Sequence, residues 1–218
     1  MAPKTSKGKS KKSTVREYAE AIVFAVVLTV LIRMLVVQAF RIPSGSMEDT
    51  LLVGDFLFVN KFIYGAQVTL PFTDKILFQA PKLRDPKVGD IIVFRFPEDP
   101  RQDFIKRCEG VPGDVIEVRN KQLFRNGKPV YESYIQHVYP DTFPRGLEPR
   151  DNFGPYRVRP NHYFMMGDNR DNSRDSRYFG DVDEALMKGR ALFIYWSWDA
   201  GEPIYRALRF GRLLRPVH

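Results

Sequence analysis

The sequence predicts a mainly β protein, an antiparallel sheet domain preceded by a single N-terminal transmembrane helix. Three observations lead there: an apolar run at residues 21–40, a train of β-rich runs beyond it punctuated by Gly and Pro, and an Asn-Gly pair inside that train. With 218 residues, 44% of them hydrophobic, the chain has material for one core of ordinary size, and a disordered chain is excluded.

The chain opens on a basic tail, residues 1–20, read as solvated and cytoplasmic. Lys4, Lys7, Lys9, Lys11, Lys12 and Arg16, with Arg33, outweigh Glu17 and Glu20, so residues 1–40 hold +5 of the net +8. The basic excess is local to the tail, and no nucleic-acid partner is assigned. Gly8-Lys9-Ser10 is not a phosphate-binding loop, because Pro3 stands where the first glycine is needed.

The run "AIVFAVVLTVLIRMLVVQAF", residues 21–40, carries one charge, Arg33. As a helix, such a run extends about 30 Å, the thickness of a hydrocarbon core. Arg33 lies towards its end, where a long side chain can reach the interface. The positive-inside rule keeps the tail in the cytoplasm and places residues 41–218 across the membrane. A cleaved signal peptide is the rival reading, since Val37-Gln38-Ala39 has small-residue character, but the run exceeds the usual apolar region of about 7–15 residues.

Beyond residue 40, "DFLFVNKF", "GDIIVFRF", "GDVIEVR", "QLFRNGKPV" and "ALFIYWSW" read as strands, being rich in Val, Ile, Phe, Tyr and Trp between turn residues. Asn126-Gly127 predicts a tight hairpin between Leu123-Phe124 and Pro129-Val130. Residues 66–86 read as a long loop or extension and 131–160 as irregular excursions from the sheet. The C-terminal "YRALRFGRLLRPVH", with Arg206, Arg209, Arg212 and Arg215, reads as a solvated basic end, with anionic lipid as the sharper alternative.

One cysteine, Cys108, excludes an internal disulfide and reads as a small half-buried hydrophobe. His137, His162 and His218 lack metal-ligand spacing, so no metal is assigned. Asp171, Ser173 and Asp175 alternate as in a calcium loop, but Ser176 occupies the required glycine position and Val182 the required glutamate.

Three polar clusters can carry chemistry against this β background. They are Ser44-Gly45-Ser46-Met47, then "DFIKRCEGVPGD" at 103–114, then "GDNRDNSRDSRYFGD" at 167–181. A serine is a weak nucleophile without a base. His162 is one candidate base, and Lys106, flanked by Phe104, Ile105 and Cys108, is another if burial lowers its pKa. The residues alone leave that choice open.

In their order, "IPSGSM" and "TLLVGDFLFVNKFIYG" at 42–65, "DFIKRCEGVPGD" and "GDNRDNSRDSRYFG" resemble bacterial type I signal peptidases, membrane-anchored serine proteases that remove signal peptides from exported proteins. The resemblance runs from about residue 17 to 198 and implies a Ser-Lys dyad without a cofactor. Ser46 matches the nucleophile, Lys106 the general base, and Ser44 an oxyanion-hole donor beside the Ser46 N–H. Ser173 matches the serine that orients the lysine, and Asp175, Arg107 and Arg177 match supporting polar residues. Phe40, Ile42, Pro43, Met47, Leu51, Phe104 and Ile105 match the lining of small substrate pockets, which implies Ala-x-Ala-like sites and a substrate paired as an added strand. The implied setting is the outer face of the cytoplasmic membrane, with signal peptides and phospholipid as partners and a monomer as the working unit.

The sequence departs from the family at Met47-Glu48-Asp49-Thr50, where Met-x-Pro-Thr is usual; the loop loses a rigid residue and gains two acids. Two other readings stand beside the peptidase. One is a membrane-tethered binding protein that lacks turnover. The other is a soluble self-cleaving Ser-Lys protease, which the apolar run argues against.

Overall fold

The structure is a computed structural model that describes residues 14–35, 37–65, 67–69, 76–79 and 81–218. The basic tail through Ser13 lies outside the described residues. A helix, α1 (Thr14–Leu35), leads into β1 (Val37–Arg41), β2 (Asp55–Asn60), β3 (Gln67–Thr69), β4 (Ile76–Gln79), β5 (Ile91–Arg95) and β6 (Asp103–Gly110). Then come β7 (Val115–Arg119), β8 (Gln122–Arg125), β9 (Lys128–Pro129), β10 (Phe153–Arg157), β11 (His162–Met166), β12 (Val182–Asp183), β13 (Met187–Ser197) and β14 (Arg215–Pro216).

Among the described residues every pairing between strands is antiparallel, as the β-rich runs punctuated by tight turns predict. β2 alternates buried and half-buried residues along its length, the period-two burial of a strand with one face on a core. The main sheet runs β1-β2-β13-β5-β6-β11-β12, with β14 added to β13. A second sheet runs β10-β7-β8-β9. Its β8–β9 turn is the Asn-Gly hairpin, with Asn126 at φ 54° and Gly127 at φ 75°, the double left-handed geometry such a turn requires. Ile42, Met47, Leu51, Leu57, Ile91 and Ile194 are among the residues that fill one core beside the main sheet; Phe94, Cys108 and Met165 belong to another. Cys108 is fully buried, and burial pushes its thiol pKa up.

The structure corrects four expectations. The apolar run is not one helix through residue 40. α1 stops at Leu35, and Val37–Arg41 pairs with β2 from Val37 opposite Asn60 to Arg41 opposite Phe56. Pairing in the sheet satisfies that backbone and ties the serine loop directly to the main sheet. Among the described residues, no helix is long and apolar enough to cross a membrane.

Within 66–86, β3 and β4 pair, so the described part of this extension is a two-stranded hairpin. Within 131–160, β10 joins β7, and Gln136 bridges to Asn169. The C-terminal end, lastly, is not simply solvated. Val217 is buried, Arg209 pairs with Asp199, and Arg212 pairs with fully buried Asp55 at 2.6 Å. A buried carboxylate needs a cation, and the end of the chain supplies it.

Candidate active site

Ser46 sits in a single 3-10 turn, Gly45–Met47, between β1 and β2. Ser44 enters it in extended conformation, at φ −137° and ψ 156°. The Glu48 N–H closes the turn on the Gly45 carbonyl at 3.1 Å, and the Leu51 N–H bonds the Met47 carbonyl at 2.8 Å. Met47 and Leu51 are fully buried beneath it, so the turn is pinned by its apolar neighbours while Ser46 stays half-buried at the surface. Asp49 takes φ 77°, a left-handed conformation that aspartate tolerates and that a prolyl ring, locked near about −65°, cannot enter.

The third polar cluster clamps this turn from across the fold. The Asn169 N–H donates to the Ser46 carbonyl at 3.1 Å, and Asn169 Nδ2 donates to the Gly45 carbonyl at 3.1 Å. Gly167 makes the close approach feasible. A Cβ there would stand 2.4 Å from the Ser46 carbonyl oxygen and 2.2 Å from Ser173 Oγ.

Lys106 lies on β6, near the middle of the main sheet, opposite Ile92 of β5. Its side chain is 4% exposed; Nζ donates to Ser46 Oγ at 2.7 Å and to the Ile105 carbonyl at 3.1 Å. Phe104, two residues back on the same strand face, places its ring centroid 5.3 Å from Nζ. Burial lowers the Lys106 pKa to about 8; Asp175 and Asp168 pull it upward and Arg177 lowers it further. An amine with that pKa is neutral in an appreciable fraction near neutrality. At 2.7 Å from a hydroxyl, the neutral amine can take its proton.

The supporting residues form two buried ion pairs. Arg177 holds Asp175 at 2.8 Å, and Asp175 also accepts from the Gly167 N–H at 3.1 Å. Burial alone would raise the Asp175 pKa, but the Arg177 guanidinium and the Gly167 N–H hold it below the usual carboxylate range. Arg107 forks onto Asp168 at 2.9 and 2.7 Å, and Thr50 Oγ1 donates to the same carboxylate at 2.6 Å. These pairs brace the loop 167–177 and the serine turn against each other.

Not every predicted site residue takes the expected place. Ser173 Oγ is buried against Gly167, on the Asp175 side, and makes no hydrogen bond to Lys106. Ser44 is exposed and its side chain does not cap the turn. Pro43, Ser44, Ser46, Phe104, Ile105 and Lys106 line one groove of about 630 Å³. Met47, Leu51 and Ile42 are instead nearly or fully buried in the core, and Phe40 packs against that core. Their burial holds the serine turn against the core from beneath. His162 is not near the dyad: its Nδ1 lies 2.9 Å from the Pro160 carbonyl. Among the described residues, no group of three His, Cys, Asp or Glu side chains could hold a metal ion.

Asn169, Gly167, Asp168 and Thr50 are site-building residues for which the sequence offered no role. They lie inside the stretches singled out in the sequence, but the Thr50–Asp168 and Gly45–Asn169 partners are 118 and 124 residues apart, so no local pattern gives the contacts.

The family model described as signal peptidase, peptidase S26, matches residues 15–196 of this chain. A signal peptidase I of Pseudomonas fluorescens is 37% identical over 219 residues, covering 87% of this chain and 75% of the relative. One from Pseudomonas aeruginosa is 35% identical with the same coverage of both chains. A solved signal peptidase I from Enterococcus faecalis V583 is 32% identical and covers 49% of this chain and 97% of its own, with a TM-score of 0.41.

Proposed function

This chain belongs to the signal peptidase family, peptidase S26, and on that premise we propose that it removes N-terminal signal peptides from exported proteins with a Ser46–Lys106 dyad. The observation that supports this best is the 2.7 Å contact between Lys106 Nζ and Ser46 Oγ in a buried setting that lowers the amine's pKa. Neutral Lys106 takes the Ser46 proton as Oγ attacks the scissile carbonyl. The developing oxyanion is received by the Ser46 N–H and the Ser44 hydroxyl, the latter exposed and free to rotate towards it. Lys106 then gives the proton to the departing amine; neutral again, it takes a proton from the water that attacks the acyl carbonyl and returns it to Ser46 Oγ as the acyl group leaves. Phe104, Ile105 and Pro43 crowd the groove beside Ser46, which supports small side chains before the cut, as in Ala-x-Ala.

The membrane setting is part of the same reading. α1 exposes Tyr18, Ile22, Val23, Phe24, Val26 and Val27, each at least half exposed. Such a surface has no place in water and suits lipid. With the basic tail inside, the domain from residue 37 onward works on the outer face of the cytoplasmic membrane. Near the serine turn's flank, exposed Val53, Ile204, Tyr205, Phe210 and Leu214 with Arg206 and Arg215 suit an anionic lipid interface.

Cleavage of a purified precursor carrying an Ala-x-Ala site, in detergent or lipid, tests the proposal. Wild type cuts after the last Ala, while Ser46→Ala and Lys106→Met do not. An intact wild-type enzyme that leaves the precursor whole overturns the function, and it leaves the tethered binding protein standing if wild type and Ser46→Ala bind precursor equally. Cutting that survives Lys106→Met but is lost in His162→Ala overturns the mechanism.

A further inference from the structure

Four charged side chains line the groove that holds Ser46: Glu48, Asp103, Lys106 and Arg174. Three of them are engaged. Lys106 is directed at Ser46, Asp103 accepts from Lys188 at 2.7 Å, and Arg174 pairs with Glu98 at 2.5 Å. Glu48 differs. Its one hydrogen bond comes from an uncharged donor, Asn169 Nδ2, at 3.3 Å, and among the described residues it has no ion-pair partner.

Glu48 is also fixed in place. It lies two residues beyond Ser46 and folds back over Gly45, where a Cβ would meet its Cδ at 2.9 Å. Asn169, which holds that carboxylate, is the residue that clamps the Ser46 turn, so the charge and the hydroxyl share one rigid frame. The carboxylate is half-buried on the groove wall, partly removed from water yet open to whatever occupies the groove.

We propose that Glu48 is a specificity-determining residue: its carboxylate selects a basic substrate side chain, and rejects an acidic one, at a position flanking the scissile bond. The inference rests on the peptidase reading above. A substrate Lys or Arg meeting this wall finds an unneutralised anion held ready. A substrate Asp or Glu meets repulsion from Glu48, which Arg174, paired with Glu98, offsets only in part. Exposed charge pairs typically change affinity by a few-fold, and exchanging Lys for Glu combines attraction lost with repulsion gained, so the ratio of rates between the two is about tenfold.

The test uses quenched fluorescent peptides with one Ala-x-Ala site, carrying Lys, Gln or Glu singly at each position flanking the two alanines. The readout is the ratio of kcat/KM for Lys over Glu within each enzyme form, which cancels differences in active fraction. Wild type in low salt gives a ratio of about ten at one position, shrinking in concentrated salt as the pair is screened. Glu48→Gln, which keeps an oxygen for Asn169, brings the ratio near one, and Glu48→Lys inverts it. A wild-type ratio near one at every position, or a preference unchanged in a folded Glu48→Gln or Glu48→Lys enzyme, overturns the proposal while leaving the peptidase intact. If wild type cuts none of the peptides, the peptidase reading itself fails and this inference falls with it.

Discussion

Replacing Lys106 by Met should remove activity and increase stability near neutral pH. The Lys106 pKa falls from 10.5 to about 8 because the folded protein disfavours the charged form. That displacement corresponds to about 3 kcal/mol of folding stability withheld from the protonated enzyme. The sign follows from proton binding. Between about pH 8 and 10.5 the unfolded chain holds more protons at this site than the folded one, so this residue makes stability rise with pH across that window and lowers it fully below. Methionine is close in volume and carries no charge, so it lifts the penalty. It also loses the hydrogen bonds to Ser46 Oγ and the Ile105 carbonyl, about 1 kcal/mol together once water is free to reach the half-buried serine. The net expectation at pH 7 is a gain of about 2 kcal/mol for Lys106→Met. Urea unfolding of wild type and variant in matched detergent, at several pH values from 6 to 10.5, reads the difference directly, since all other titrations are shared. The gap is widest at and below pH 7 and narrows as pH rises through 8 to 10.5. A variant less stable than wild type at pH 7, or a gap independent of pH, refutes the account of Lys106 as a buried amine strained towards neutrality.

Three further outcomes follow from the same geometry. Steady-state kcat/KM rises about tenfold per pH unit below pH 8 and levels above it, as the neutral amine accumulates; a profile flat from pH 6 to 9 contradicts a lysine base with the Lys106 pKa. Gly167→Ala drives a Cβ to 2.4 Å from the Ser46 carbonyl oxygen, so precursor cleavage falls by at least about tenfold and stability by about 1–3 kcal/mol; full activity by gel assay counts against the clamp. Arg212→Ala strands the fully buried Asp55 with Ser197 and the Leu52 N–H as its remaining partners, and lowers unfolding stability by about 3 kcal/mol; a neutral effect in a denaturant titration restores the solvated reading of the C-terminal end.

The sheet was legible because its signals are local. The β-branched and aromatic richness of "DFLFVN" and the Asn-Gly turn each state a conformation within a few residues, and β2 and the β8–β9 hairpin form where those signals stand. The end of the apolar run was not legible, because Val37, Ala39 and Phe40 continue that run and also suit an edge strand. Only the presence of β2 to pair with decides for the strand. The same holds for Arg212, whose role depends on Asp55, a residue that announces no need for a cation until it is buried.

For the site, sequence by itself determined the chemical vocabulary: a serine in a Ser-Gly-Ser turn, a lysine among apolar neighbours, a dense polar loop, and the family to which their order belongs. Without the resemblance, the residues left open whether Lys106 or His162 could reach the serine. Tertiary structure sets Lys106 Nζ 2.7 Å from Ser46 Oγ, while His162 turns to Pro160. It also decided what Met47 and Leu51 do, withdrawing them into the core, and brought Asn169 and Gly167 against the serine turn. The physical reason is that strand patterns are written in neighbouring residues. A lowered pKa, a clamp and an uncompensated charge exist only once distant segments exclude water together.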